Sequence, residues 1–138
     1  MDYISLQIEP INVGLEISKC GSEADGAIVT FIGKPRNGSR EKAVQYLEYE
    51  AYQPMALSEL EKIVTHVKRT WPVSDCIVVH RYGIVTLDEP SILIAVSSAH
   101  RAEAFESTRY IIDTIKKTVP IWKKEYYQDG SMWITEHP

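Results

Sequence analysis

Cysteine is scarce in this chain of 138 residues: only Cys20 and Cys76 occur, with no C-x-x-C and no second pair. That spacing excludes a disulfide framework and a structural zinc site, and two free thiols fit a reducing compartment. Long apolar runs are missing too, so no segment is expected to span a membrane. The opening MDYISLQIEP has an early acid and no basic stretch ahead of an apolar one. No signal peptide is expected, and the expected location is the cytoplasm. Positive charge is in deficit, 15 Lys and Arg against 19 Asp and Glu for a net charge of -4, which argues against a general nucleic-acid binder. His66, His80, His100 and His137 lack metal-ligand spacing with one another or with the cysteines, so no metal site is expected. G-x-S-x-G, an opening G-x-G-x-x-G and the P-loop pattern are all absent. With no repeat, low-complexity stretch or Pro/Gly/Ser linker, one domain over residues 1–138 is expected, long enough to bury a core.

What is present alternates between strand and helix signals. Residues 3–9 alternate apolar and polar, which predicts a strand. Asn12 can cap a short helix over 13–20, with Gly21 just past its end. The run GAIVTFIG, 26–33, predicts a buried strand between two glycines. PRNGSREK, 35–42, is turn chemistry, and AVQYLEYEAY, 43–52, returns as an alternating strand that could pair with 26–33 as a hairpin. From 54 to 71 Met55, Leu57, Leu60, Ile63, Val64, Val67 and Trp71 recur at helical steps, and Pro72 stops them. CIVVHRYGIV, 76–85, predicts a strand bent at Gly83, and PSILIAVSSA, 90–99, another. A helix over about 101–117 carries Phe105, Ile111, Ile112 and Ile115 on one face and ends at Pro120. Two short strands follow around an Asp129–Gly130 turn. The pattern predicts an α+β fold with mainly antiparallel sheet.

Cations gather late in this acidic chain. Residues 100–124 hold Arg101, Arg109, Lys116, Lys117, Lys123 and Lys124 against Glu103, Glu106 and Asp113. If the chain turns back at Pro120, Lys116 and Lys123 converge. Two ammoniums close together, partly shielded by Trp122, would lower each other's pKa. A lysine so tuned can bind an anion, exchange a proton or attack a carbonyl. A plainer account is that a helix C-terminus favours cations and an edge strand favours lysine. In SSAHR, His100 and Arg101 stand at a helix N-terminus, where free N–H groups favour anions; alternatively Ser98 caps that helix and His100 lies on the surface. Lys34, Arg36 and Arg40 sit in a glycine-flanked loop, a binding loop or a solvated hairpin tip. Asp88–Glu89 before Pro90 reads as a turn pair.

FIGKPRNGSR followed by LEYEAY, then HRYGIV, SSAHRAEAF, IKKTVPIWKKE and GSMWI stand in one order and spacing. In that order and spacing the chain resembles the large, catalytic subunit of molybdopterin synthase, over about residues 3 to 135. The resemblance implies an α/β hammerhead fold and an enzyme, a sulfurtransferase of molybdenum cofactor biosynthesis. Its substrate would be cyclic pyranopterin monophosphate, which receives two dithiolene sulfurs. The sulfur would come from the C-terminal thiocarboxylate of a small ubiquitin-like subunit, whose tail enters a pocket on the large one. A homodimer of large subunits would form the centre of a heterotetramer, and no cofactor is implied.

Residue by residue, the family's catalytic lysine falls on Lys116 and the lysine of its P-x-W-K motif on Lys123. The arginine that binds the pterin phosphate falls on Arg36. The His-Arg pair falls on His100 and Arg101, which in the family serve the pocket across the dimer interface. The sequence departs from the family pattern at Pro35, where valine is usual, and at Glu41 and Asp88, where glycine is common. Without the resemblance, the same patch fits a non-enzymatic module that senses an anionic metabolite, or a scaffold that docks a ubiquitin-like tail.

Overall fold

Asn12 accepts from the Leu15 amide at 3.1 Å and so starts helix α1 (Val13–Ser18), as its side chain predicts. The structure, a computed structural model, describes residues 2–39 and 41–135; Arg40 and His137, both weighed above, lie outside them. Before α1 runs β1 (Asp2–Gln7), and after it β2 (Ala27–Gly33), β3 (Gly38–Ser39) and β4 (Lys42–Ala51). Helix α2 (Gln53–Thr70) precedes β5 (Val73–Arg81), β6 (Gly83–Val85) and β7 (Ile92–Ser98), and α3 (Arg101–Thr118) precedes β8 (Ile121–Tyr127) and β9 (Met132–Thr135). The structure therefore adds a short β3 and splits the predicted 76–85 strand in two. Gly83, at φ +88°, turns the chain there, and Arg81 donates to the carbonyls of Ile84, just past the kink, and of Ile8, just past β1.

Among the described residues the strands form two sheets, one ordered β1-β5-β7-β2, the other β3-β4-β8-β9 with β6 also on β4. Only β1·β5 is parallel. The hairpin expected between 26–33 and 43–52 does not form: β2 pairs with β7, and β4 with β8. The reason lies in β7, every residue of which is buried. A strand apolar on both faces belongs in the middle of a sheet and needs a neighbour on each edge. β5 takes one edge and β2 the other. β2 thereby becomes an outer strand with Ile28 and Ile32 exposed, where a buried strand was expected.

Both long helices lay a stripe on the sheets. Ala56, Leu60, Ile63, Val64 and Val67 of α2 and Ala104, Ile111 and Ile115 of α3 are buried. One core cluster joins all of these except Ala104 to Val44 and Leu47 of one sheet and Val78 and Ile94 of the other. Met55, Leu57 and Phe105, expected on the apolar faces, are exposed instead. They sit beside these stripes, not on them. Glu41, where the family favours glycine, takes a left-handed φ of 61°.

The start of α3 is held against a backbone neighbour. A Cβ on Gly26 would lie 2.6 Å from the Ala99 carbonyl oxygen, and the Gly26 amide bonds the Ser98 carbonyl at 3.1 Å. Gly26→Ala is expected to cost about 1–3 kcal/mol by overpacking. Denaturant unfolding would read this, and a midpoint equal to that of the unsubstituted protein would count against the contact.

Candidate active site

Lys116 lies in the last turn of α3, and the chain reverses directly after it. The Val119 amide closes the helix on Ile115 at 3.2 Å, and the Ile121 amide reaches Val119 at 2.8 Å across Pro120. Lys123 follows as the third residue of β8. Strand alternation puts Ile121, Lys123, Glu125 and Tyr127 on one face. The result is that Lys116 and Lys123 line one cleft of about 220 Å³. Lys34 and Arg36, from the loop after β2, line it as well. Four cations from two distant parts of the chain thus share one hollow.

The other surfaces of the cleft are apolar or buried. Phe31, Ile92, Ile112 and Ile115 form its walls. Its buried end carries Tyr49 of β4, His80 of β5 and Ser91. A smaller recess adjoins it, lined by Arg36, Lys123, Pro35 and Glu125 among others. Pro35, where the family usually has valine, is buried at this junction.

Lys123 is the titratable group this environment alters. Burial holds its ammonium below the ordinary lysine pKa; Lys116 and Arg36 push the same way, and Glu125 opposes them. Glu125 is itself buried and accepts from the Tyr127 hydroxyl at 3.4 Å. It offsets one cation at the inner wall.

Trp122 does not shield the lysines. It lies on the opposite face of β8, where its indole N–H donates to Glu50 at 3.1 Å, beside the Lys124–Glu50 ion pair at 2.5 Å. Tyr126 donates to Glu48 at 3.1 Å and stacks on Tyr46 with centroids 4.7 Å apart. This polar-aromatic ladder covers the side of the strand away from the cleft. The burial of Lys123 comes from the apolar walls instead.

His100 and Arg101 do not join the cleft of their own chain. Both are exposed at the start of α3. His100 to Lys116 is sixteen residues along α3 and its cap, a length of about 24 Å. His100 is the N-cap residue but makes no side-chain cap. Ser98 does not cap either: its buried hydroxyl donates to the His100 carbonyl oxygen. Among the described residues, neither His100 nor Ser98 caps the first-turn N–H groups of α3.

Tyr49, His80, Phe31 and Glu125 were not singled out from the sequence. The available signal was alternation: Tyr49 within LEYEAY and Glu125 within IWKKEYY occupy the inward positions of their strands. His80 gave no such signal, because every residue near it in β5 is apolar or buried.

Comparison with known proteins gives a consistent picture. The family model of the MoaE protein matches residues 6–118. The human molybdopterin synthase catalytic subunit is 47% identical over 132 residues, 96% of this chain and 70% of that protein. The crystal structure of molybdopterin synthase from Staphylococcus aureus matches with a TM-score of 0.89 at 39% identity, over 96% of each chain. A chain from the complex of subunits 1 and 2 of molybdopterin-converting factor from Helicobacter pylori matches with a TM-score of 0.79 over 98% of this chain and 93% of that one. At 20% identity, that last likeness is one of fold.

Proposed function

This chain belongs to the MoaE family, the catalytic subunits of molybdopterin synthase, and on that footing we propose which of its residues carry the sulfur transfer. Lys116 assists attack of a thiocarboxylate sulfur on the pterin side chain, as proton donor or acceptor or by stabilising charge that develops there. Lys123 positions the substrate or the incoming tail. Arg36 holds the phosphate of cyclic pyranopterin monophosphate, since a guanidinium grips phosphate at two points. His100 and Arg101 act on the cleft of a second copy, because their own cleft is too far away. The observation that carries this reading is the convergence of Lys34, Arg36, Lys116 and Lys123 on one cleft.

The sulfur donor is a small ubiquitin-like partner ending in a thiocarboxylate. At least one solved structure of this fold is a complex of two different subunits. Each transfer forms a carbon–sulfur bond on the pterin, displaces an oxygen substituent from that carbon, and breaks the acyl–sulfur bond of the tail. Water replaces the sulfur, so the tail leaves as an ordinary carboxylate. The exposed Lys34, Arg36 and Lys116 suit both anions, the tail and the phosphate. The assembly is a homodimer of this chain with a small subunit on each side.

Reconstitution tests the reading. Purified protein mixed with thiocarboxylated partner and the pterin precursor is expected to yield dithiolene product. Binding of both without product would make the chain an anion-binding module. Arg36→Ala is expected to raise KM for the pterin about tenfold to a hundredfold, the worth of one charge-assisted contact, with kcat little changed. An unchanged KM would remove Arg36 from phosphate binding and favour a chain that only docks the tail.

A further inference from the structure

Lysine and arginine side chains only donate hydrogen bonds. The four cations of the cleft can hold anions, but none of them can receive an N–H or O–H from a ligand. The buried end of the cleft is chemically different.

His80 is 1% exposed. Its Nδ1 lies 2.7 Å from the Arg81 carbonyl oxygen. A carbonyl only accepts, so Nδ1 carries the proton. Burial keeps the imidazole neutral, with its pKa lowered to about 4. Nε2 is therefore a bare acceptor, and no hydrogen bond to it is present among the described residues. The edge-on contact with Tyr49, centroids 5.5 Å apart at 75°, holds the ring in place.

The Ser91 hydroxyl beside it is already committed as a donor. Ser91 donates to the Gly33 carbonyl at 3.2 Å, so its proton is not free for a ligand.

We propose that His80 Nε2 forms an acceptor subsite at the inner end of the cleft, beside the Tyr49 ring. It takes an N–H of a phosphate-bearing heterocycle whose anionic end rests on the cations. The proposal rests on the pterin-phosphate reading above and adds how the ring is oriented. Bound by its phosphate alone, a bicyclic ring could swing. An acceptor at the closed end of the cleft selects one orientation and rejects anions that carry no donor. A neutral acceptor suits this task, because a protonated imidazole would repel an N–H.

The test uses the purified full chain with ¹⁵N-labelled histidine. Titration with a reduced pterin phosphate is expected to move the His80 Nε2 resonance upfield, as a nitrogen lone pair does when it accepts a hydrogen bond. Sulfate, which fills the cation end and has no donor at neutral pH, should leave that resonance in place. His80→Phe keeps a ring of similar size and removes the acceptor. It should weaken the pterin phosphate about tenfold, the worth of one neutral hydrogen bond, and leave sulfate affinity unchanged. If His80→Phe misfolds, the titration of the unsubstituted protein still decides. Pterin phosphate that binds while Nε2 stays unmoved overturns the subsite and leaves the sulfur-transfer reading intact. Failure of pterin phosphate to bind at all overturns both.

Discussion

Lys116→Ala is expected to lower the rate of dithiolene formation by about 10²–10⁴-fold, the usual range for losing a positioned acid or base, while the small subunit still binds. The reasoning is local. Lys116 is exposed in the last turn of α3 and lines the cleft beside Lys123 and Arg36. Its neighbours Ile112 and Ile115 supply the wall, so the fold does not depend on the ammonium. Truncation should remove the charge and leave the cleft's shape. Single-turnover kinetics with pre-thiocarboxylated partner reads the chemical step, and gel filtration of the mixture reads partner binding. Near-normal product formation would remove Lys116 from the reaction. Loss of partner binding together with activity would make it a docking residue.

Lys123→Met should cut activity about a hundredfold and raise stability. Burial, Lys116 and Arg36 all disfavour the charge on Lys123 in the folded protein. In the unfolded chain none of them acts. The unfolded state therefore binds more protons in the window between the folded and the ordinary lysine pKa, and stability rises with pH through that window. Below it, the charged lysine weakens the fold by its full amount. Methionine keeps the length and apolar stem of the side chain without the charge. The variant should thus melt above the parent at neutral pH, and the difference should shrink as pH climbs toward 10.5, the ordinary lysine value. A variant that melts below the parent at neutral pH would mean that Glu125 outweighs the other influences. A destabilised functional group of this kind is a common cost of a binding site.

The signals that were legible in the sequence are those that act over a few residues. Asn12 caps α1, Pro72 follows the end of α2, and Pro120 reverses the chain so that Lys116 and Lys123 meet. Each depends on a backbone torsion or a single hydrogen bond. Which sheet a strand joins was not legible. GAIVTFIG and AVQYLEYEAY carry good strand patterns, but β7 claims the first and β8 the second, and that competition is decided by residues 59 to 83 positions away. Trp122 marks a different error. Adjacency to Lys123 in the chain was read as adjacency in space, whereas the pleat sends neighbours to opposite faces. His100 and Arg101 were recognisable as a helix entry, but the length of α3 that separates them from Lys116 became meaningful only once both ends were placed.

β8 presents the cleft on its odd-numbered residues and the Glu50–Lys124 ladder on its even-numbered ones. One amino acid inserted between Pro120 and Trp122 would send every later side chain to the wrong side, driving Trp122 inward and Lys123 into the ladder. Related genes should therefore tolerate many spelling changes along this stretch but almost no change in its length. Insertions and deletions should collect beyond it, at the Asp129–Gly130 bend, where the reading of the strand is already complete.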